Sequence, residues 1–460
     1  LTVNGTGTGY VELEVAADTI LASSLRLEVN DTAGNSDYGA LRLRANWRGP
    51  GGLTKEGDGV ATLTGDSKSY TGATAVNRGV LALTEAASPF QSAVSVAPGG
   101  QLRLTSASTG GVPRNYRFGA LTLNSGGRGG SLPSSGQGVS GGLRYQPDTD
   151  DSVAVVSNDI AVAGLSAIHV ENARNALECA GVLSGAGGLV KTGGGNLILS
   201  GKSTRYSAPV TVSNGTVTVT GRLLSPVQVA AGGVLAGSGR VGPVAGGGTV
   251  ALNGQVLRTA SAKGLNYAVL FGAKGSPAYG ACGASGNGVL RVLAIEPAET
   301  APTIDVFLCA TNLVENDTLR GGIFVEGTFG LAAFLQSCTV NFFVPDAAGT
   351  RTFGGQTYSP YAGDYALTAT AMPETADFGD GPRVGEVMEI RVAGAPVSYA
   401  QWALQAALAA TGPLATSTLP SPHADPSASG VDSLLRYALN LGLCDNPSCR
   451  MPKLSVCAED

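Results

Sequence analysis

An ungapped internal repeat is the feature that most constrains this chain. Residues 51–83 read GGLTKEGDGVATLTGDSKSYTGATAVNRGVLAL, residues 187–219 read GGLVKTGGGNLILSGKSTRYSAPVTVSNGTVTV, and the two align at a constant offset of 136. Repetition at a fixed spacing is typical of chains that stack equivalent units. The positions of the first copy that recur in the second are Gly51, Gly52, Leu53, Lys55, Gly57, Gly59, Leu63, Gly65, Ser67, Tyr70, Val76 and Gly79.

The second copy contains GKST at residues 201–204, which is close to the end of a nucleotide phosphate-binding loop. That motif needs a glycine where Asn196 stands, and a helix after it. The residues that follow, RYSAPVTVSNGTVTV, alternate as a β-strand does, and the first copy reads TGDSK at this place. The segment is therefore predicted to be scaffold and not a nucleotide site.

Composition excludes several classes of protein. Glycine contributes 68 of the 460 residues, and charged residues make up only 14%, against roughly a quarter in an average protein. The formal net charge of −5 predicts no basic stripe, so nucleic acid is a poor partner. No stretch reaches the roughly 18 uncharged apolar residues of a membrane helix, so no membrane insertion is predicted.

Residues 1–255 show short alternating strands separated by glycine-rich turns, such as VTVT at 217–220. A sandwich, a barrel or a solenoid fits such a pattern. The repeat favours a solenoid, because stacked coils reuse the same residue types; a glycine-rich sandwich stays the alternative. Glycines are expected at corners that need positive φ. The side chains predicted to point inward are Leu53, Leu63, Leu81, Leu189, Leu199 and Val217.

These motifs resemble a known family. The stretch GAGGLVKTGGGNLILSG, followed by YSAPVTVSNGTVTV, is similar to the autotransporter-associated β-strand repeat, and VQVAAGGVLAGSGRVGPV at 227–244 resembles the segment that follows it in such proteins. The resemblance covers roughly residues 1–250. It implies a right-handed parallel β-helix that is exported across the cell envelope, with many members acting as surface adhesins or structural fibres without catalysis. The rest of the chain resembles large secreted repeat proteins of Verrucomicrobia-type bacteria.

The chain after residue 255 changes character twice. Residues 256–396 are β-rich and more aromatic, which predicts either a continuation of the solenoid or, by a narrow margin, a separate β-domain. Residues 397–460 combine a Pro-rich linker with two short amphipathic helices too small to form their own core. This tail is predicted to dock on its own or a neighbouring chain. Its segment DPSASGVDSLLRYAL resembles a calcium loop, but Ser427 and Ser429 replace two acids, so no metal site is predicted.

Catalytic chemistry finds little support in the sequence, and the chain is predicted not to be an enzyme. His169, in a strand-like context, is expected to be packed or turn-facing, and His423 lies in the linker. No nucleophile motif occurs and no cofactor is predicted. Since some parallel β-helices are polysaccharide lyases or glycosidases, that alternative would need paired carboxylates on one face. The candidate acids are Asp31, Asp37, Asp148, Asp150, Asp151 and Glu171.

Seven cysteines are scattered along the chain, and export to an oxidising compartment would allow disulfides. Cys444 and Cys449 are separated by the turn-forming DNPS, which predicts one pair. Cys309 and Cys338 lie in two apolar segments that could be neighbouring strands, which predicts a second. Cys457, near the chain end, is the candidate for an intermolecular disulfide.

The sequence therefore predicts a non-catalytic, secreted or cell-surface structural protein that assembles with itself into a fibre by end-to-end stacking. An adhesin that binds surface glycans is the first alternative, and its exposed aromatic side chains would supply the affinity. Four glycosylation sequons, at Asn4, Asn30, Asn214 and Asn316, lie in turn-like contexts. The candidate aromatic residues are Tyr10, Tyr38, Tyr70, Tyr116, Tyr145 and Tyr206.

Overall fold

A computed structural model shows the fold of the chain. It describes residues 1–5, 11–14, 19–31, 41–65, 67–84, 90–127, 141–272, 287–296, 301–309, 317–327, 330–363 and 365–394. Nearly all regular structure within these ranges is β-strand. The chain divides into two compact units, of which the first comprises Leu1–Leu313, Asp317–Tyr361 and Thr368–Arg391. The second contains the predicted tail, and residues 397–460 lie outside the described ranges.

The first twelve strands are short and pair in parallel across successive coils. They are β1 Thr2–Gly5, β2 Val11–Glu14, β3 Thr19–Ile20, β4 Leu25–Asp31, β5 Leu41–Arg44, β6 Trp47–Arg48, β7 Leu53–Glu56, β8 Val60–Thr64, β9 Thr74–Val76, β10 Gly79–Leu83, β11 Ala93–Val96 and β12 Gly100–Leu104.

The middle strands form regular three-sided coils. They are β13 Arg114–Tyr116, β14 Ala120–Leu123, β15 Leu143–Tyr145, β16 Val153–Val156, β17 Ile160–Val162, β18 Ser166–Val170, β19 Ala176–Cys179, β20 Leu183–Ser184, β21 Leu189–Thr192, β22 Asn196–Leu199, β23 Lys202–Ser203, β24 Val210–Val212, β25 Gly215–Val219, β26 Arg222–Leu223, β27 Val227–Val229, β28 Gly233–Ala236, β29 Arg240–Val241, β30 Val244–Gly246 and β31 Thr249–Leu252.

Longer strands and a short helix follow. They are β32 Val256–Lys263, β33 Asn266–Phe271, β34 Val289–Glu296, β35 Thr303–Leu308, β36 Thr318–Glu326, α1 Leu331–Gln336, β37 Thr339–Pro345, β38 Arg351–Phe353, β39 Gln356–Pro360, β40 Tyr365–Asp377 and β41 Pro382–Gly394. Parallel pairing continues across residue 256, since β31 pairs with β33 and β30 with β32. The described strands β32 to β37 therefore extend the parallel stacks of the strands before residue 256.

Each middle coil contributes one strand to each of three parallel stacks, which confirms the predicted all-β solenoid. One stack runs through β14, β17 and β20, the second through β15, β18 and β21, and the third through β16, β19 and β22. The short strands β23, β26 and β29 follow one another on successive coils and lead into the first half of β32.

The core consists of aliphatic side chains stacked in register along the coils. Leu197 pairs with Val217, which pairs with Leu235, and all three are fully buried. Burying each such side chain stabilises the fold by about 1.5–3 kcal/mol. The six residues predicted to point inward are all buried. The alternation of residues in the sequence therefore predicted correctly which of these side chains face the interior of the solenoid.

Glycine at the start of a strand allows the corner before it. Gly79 and Gly215, equivalent in the two repeats, begin β10 and β25 with φ of 67° and 69°. A Cβ on Gly215 would lie 2.4 Å from the carbonyl oxygen of Gly193 on the preceding coil. Both the backbone conformation and the close approach of the coils therefore require glycine here.

The two repeats occupy different faces of the solenoid. Strands β7 and β8 of the first copy lie in the first and second stacks, whereas β21 and β22 of the second copy lie in the second and third. The repeated sequence therefore encodes the same local turn and strand structure in both copies, although the copies lie on different faces of the solenoid.

Antiparallel strands close the far end of the first unit. Strand β41 pairs antiparallel with β36, and β39 pairs antiparallel with both β37 and β38. Helix α1 is held by Glu386, whose Oε2 accepts hydrogen bonds of 2.9 Å from the backbone N–H groups of Gly330 and Leu331. At the near end, β1 pairs with β4 and with no other strand of the described ranges. No helix in the described ranges is long and apolar enough to cross a membrane.

Candidate functional site

The lysine that recurs in both repeats is a structural residue of the interior. Lys55 and Lys191 are fully buried. The Lys191 ammonium donates to the carbonyl oxygens of Thr192 and Gly193 at 2.8 Å and of Asn214, on the next coil, at 3.1 Å. Burial lowers the pKa of Lys191 to about 7.

The first copy repeats the arrangement. The Lys55 ammonium donates to the carbonyl oxygens of Glu56, Gly57 and Arg78 at 2.6, 2.7 and 3.1 Å. Because each lysine fastens the corner of its own coil to the following coil, it belongs to the scaffold and is not a ligand-binding cation.

The tyrosines considered for glycan stacking are interior residues wherever the structure describes them. Tyr70, Tyr116, Tyr145 and Tyr206 are at most 4% exposed, and Tyr10 and Tyr38 lie outside the described residues. The hydroxyl of Tyr206 donates to the carbonyl oxygen of Gly187 at 2.6 Å. An aromatic glycan-binding face made from these four side chains is therefore wrong, because each ring fills a coil interior.

A polar cluster forms on the outer side of β15, β18 and β21. The imidazole of His169 contacts the Thr192 hydroxyl through Nδ1 at 3.1 Å and Glu171 Oε2 through Nε2 at 3.3 Å. Arg144 donates to the same Glu171 oxygen from Nε and Nη2, at 2.9 and 2.8 Å. The hydrogen bond from His169, opposed by burial and aided by Arg144, lowers the pKa of Glu171 to about 2.

This cluster has the order hydroxyl, imidazole and carboxylate that nucleophilic catalysis uses. Its charge distribution differs, however, because the Arg144 guanidinium already neutralises the carboxylate that would have to stabilise an imidazolium. Thr192 is also only 8% exposed. The contacts therefore join neighbouring coils, and His169 is a packed side chain as expected.

Three of the six acids that the enzyme alternative relied on, Asp150, Asp151 and Glu171, are paired with basic side chains. Arg174 forms a bidentate ion pair with Asp151 and contacts Asp150 at 3.9 Å. Asp148 is exposed, the side chain of Asp31 is not described, and Asp37 lies outside the described ranges. No cluster of potential metal ligands occurs within the described part of the chain.

The predicted Cys309–Cys338 disulfide is absent from the structure. Strands β35 and β37 are indeed neighbours, but Thr303 pairs with Thr339. This register places the two cysteines at opposite ends of the paired strands, roughly 20 Å apart at about 3.3 Å of rise per residue. Cys444, Cys449 and Cys457 lie outside the described residues, as does Asn316 of the sequons.

A column of basic side chains follows one corner of the middle coils. Lys202 of β23 pairs in register with Arg222 of β26, which pairs with Arg240 of β29. We call these three exposed residues the cationic ladder. No acidic side chain forms an ion pair with any of them among the residues that the structure describes.

Basic residues continue the column toward the closed end, but their charges are engaged. Arg240 pairs with Arg258, whose Nη2 donates to the carbonyl oxygen of Phe378 at 2.6 Å. Arg258 pairs with Arg291, which forms ion pairs of 2.7 Å with Glu326 and Asp380. The uncompensated part of the column is therefore the cationic ladder.

The ladder places three like charges on adjacent strands. Strands in a sheet lie about 4.8 Å apart, and like charges directly opposite each other destabilise strand pairing.

The net charge of −5 predicts no basic stripe, and that prediction is wrong for the corner that carries the ladder. The sequence does contain a sign of the ladder, because a glycine precedes a basic residue at the same corner of three successive coils. These dipeptides are Gly201-Lys202, Gly221-Arg222 and Gly239-Arg240.

Comparison with known proteins agrees with the repeat geometry. Residues 53–83 and 189–219 match the passenger-associated-transport-repeat family. Over 260 residues, or 56% of this chain, the sequence is 26% identical to the BmaC autotransporter adhesin of Brucella suis biovar 1 (strain 1330). The aligned region spans 6% of the length of that adhesin. No solved structure matches the chain significantly.

Proposed function

On the premise that this chain is an autotransporter passenger-type repeat protein, we propose that it is a surface-displayed segment of an exported protein and that it acts in adhesion. The observation that carries the proposal is the stack of passenger-type repeats, whose equivalent lysines fasten successive coils in the same way. Each coil contacts mainly its neighbours, so the outward side chains can vary while the scaffold is kept.

Display on cells tests the proposal. Bacteria would carry the chain fused to an outer-membrane translocation unit, and control bacteria would carry that unit alone. We expect protease added to intact cells to degrade the chain while a periplasmic marker survives, and we expect the displaying cells to adhere better to cultured epithelial cells. A chain protected from protease, or adhesion equal to that of the control, would contradict the proposal.

Self-assembly into a fibre is the second proposal, and the open edge of β1 is the observation that favours it. Within the described residues β1 has a strand partner on one side only, and an unpaired parallel edge can accept a strand from another chain. At the other end the described edge strand of the third stack, β38, belongs to an antiparallel pair with β39, so a parallel contact would use β1 asymmetrically or through pairs of β1.

Sedimentation velocity over a hundredfold concentration range distinguishes these outcomes. A fibre predicts species that grow with concentration, and pairing through β1 predicts a dimer. A single monomeric boundary at all concentrations would contradict self-assembly while leaving the adhesive role intact.

A further inference from the structure

We propose that the cationic ladder of Lys202, Arg222 and Arg240 binds a linear acidic polysaccharide that carries one carboxylate on each sugar. This inference names a ligand for the adhesive role proposed above and rests on that role for its biological setting. Its physical basis is the in-register alignment of three exposed cations along the stacking direction of the coils.

The spacing of the ladder selects a polymeric ligand. Register pairing repeats the cation once per coil, with a step of about 4.8 Å between neighbouring strands. A ligand that engages all three cations must present anions in a line with a comparable step. A chain of uronic acids carries a carboxylate on every sugar and so offers several anions along its length, whereas a single small anion would neutralise only part of the ladder.

The side-chain chemistry suits carboxylates. Two of the three cations are arginines, whose planar guanidinium groups pair with carboxylates through two parallel hydrogen bonds. The nearest acid in this column among the described residues, Asp159, lies two register positions before Lys202, with Val182 between them, and accepts a hydrogen bond from the Val182 N–H at 2.8 Å. Glu326 and Asp380 are engaged by Arg291 beyond the other end.

The coil itself does not require a cation at this position. The coil immediately before β23 has Val182 in the same column. The scaffold therefore accepts an aliphatic residue where the ladder has a base. The fold does not need these three basic residues, and their like charges repel one another. Recognition of an anion explains why they occur together.

Nucleic acid fits the ladder less well. Single-stranded nucleic acid is held by aromatic side chains on which the bases stack. The exposed large hydrophobic residues of the described chain are all aliphatic. A duplex-binding domain is expected to be strongly basic overall, whereas this chain has a net charge of −5.

Binding of fluorescein-labelled oligogalacturonate to the purified full chain, measured by fluorescence anisotropy at several NaCl concentrations, tests the proposal. The ladder variant is K202S/R222S/R240S. The matched control, R78S/R174S/K263S, removes the same three charges from exposed positions, where each cation is paired with an acid. Circular dichroism would confirm that both variants keep the wild-type fold.

We expect the ladder variant to lose at least about tenfold in affinity, because three charge-assisted contacts disappear, and the control to stay within about twofold. The salt dependence should also become shallower, by a slope of about 1 for each cation removed, as for other cation–polyanion contacts. Methyl-esterified, neutral oligogalacturonate should not bind.

Three results would overturn the proposal: no binding by the wild type, equal losses in both variants, or equally tight binding of an oligodeoxythymidylate. The adhesive role is tested separately. Cells that display the chain and adhere, while the purified chain ignores oligogalacturonate, would refute the ligand and leave the surface role standing.

Discussion

Lys55 and Lys191 place an amine in the interior of a β-stack, and three carbonyl oxygens accept hydrogen bonds from each Nζ. Burial of an unpaired charge is strongly unfavourable, which is why the pKa of Lys191 falls to about 7, and the inward carbonyls stabilise the ammonium form. The lysine thus satisfies backbone acceptors that the coil geometry leaves without a strand partner. That role explains its recurrence in both copies better than any binding function does.

Replacing Lys191 with Met is the test of this role. The three carbonyls of Thr192, Gly193 and Asn214 would lose their donor, and each buried group left unsatisfied costs about 1–3 kcal/mol. Because removal of the desolvated ammonium offsets part of that cost, we expect a net loss of about 2 kcal/mol, seen as a lower urea midpoint.

Lys202→Met is the matched control for that experiment, since it makes the same chemical change at an exposed position two strands away. Its effect should stay within about 0.5 kcal/mol. Equal midpoints for the two variants would show that the buried lysine does not fasten the coils.

Glu171 predicts a pH dependence of stability. The hydrogen bond from His169, with the charge of Arg144, holds its pKa near 2, against an ordinary value of 4.5. A carboxylate with a depressed pKa in the folded state stabilises the fold above the unfolded value. This contribution is therefore complete above pH 4.5 and is lost as the pH falls toward 2.

We expect Glu171→Gln to remove this part of the acid sensitivity, so that its urea midpoint changes less than that of the wild type between pH 4.5 and 2. The effect should be of the order of 1 kcal/mol or less, because the carboxylate is about one third exposed. Glu178→Gln is the control, since that carboxylate contacts the Ser200 hydroxyl and not a cation. Parallel pH curves for wild type and Glu171→Gln would contradict the assignment.

At the scale of a strand, the corner glycine sets where β25 begins. Gly215→Ala would place a methyl group at positive φ and about 2.4 Å from the Gly193 carbonyl oxygen. The left-handed conformation alone costs about 1–2 kcal/mol, so we expect a total loss of about 2 kcal/mol or more in the free energy of unfolding. Gly247→Ala is the control, because nothing lies within 4 Å of its added Cβ. Differential scanning calorimetry would show the contrast, and equal melting temperatures would refute it.

Strands and their inward faces were predictable because alternation is a local property. Leu197 and Leu199 sit two residues apart, and only one face of a strand can be buried in a coil. The corner glycines were predictable for the same reason. Pairing between strands was not, because register depends on the length of every intervening loop: β35 and β37 are neighbours, yet their register separates Cys309 from Cys338.

The cationic ladder illustrates the same limit. Lys202, Arg222 and Arg240 are 20 and 18 residues apart in sequence, so no local pattern joins them. They come into register only in the folded stack, in which the coil from Lys202 to Arg222 is two residues longer than the coil from Arg222 to Arg240. Overall net charge, by contrast, averages over all faces and hides a column on one corner.

At the scale of the whole solenoid, stability is expected to be distributed along the stack. A solenoid has contacts mainly between neighbouring coils, so its stability is approximately a sum of coil and interface contributions. The longer strands β32, β34 and β36, together with the antiparallel strand β41, form the most extensive pairing in the first unit. Damage to a middle coil should therefore weaken its neighbours without opening this region.

Hydrogen–deuterium exchange of Gly215→Ala checks this expectation. Gly215 faces the Gly193 and Gly195 carbonyls on one side and pairs with Gly233 on the other, so the damage should spread first to β22 and β28. We expect amide protection to fall in β22, β25 and β28 and to stay at the wild-type level in β34 and β36. The reason is that local opening of the middle coils breaks few of the hydrogen bonds that hold the closed end. A uniform loss of protection from β22 through β36 would instead show that the solenoid unfolds as one cooperative unit, in which case the coils could not vary independently on a common scaffold.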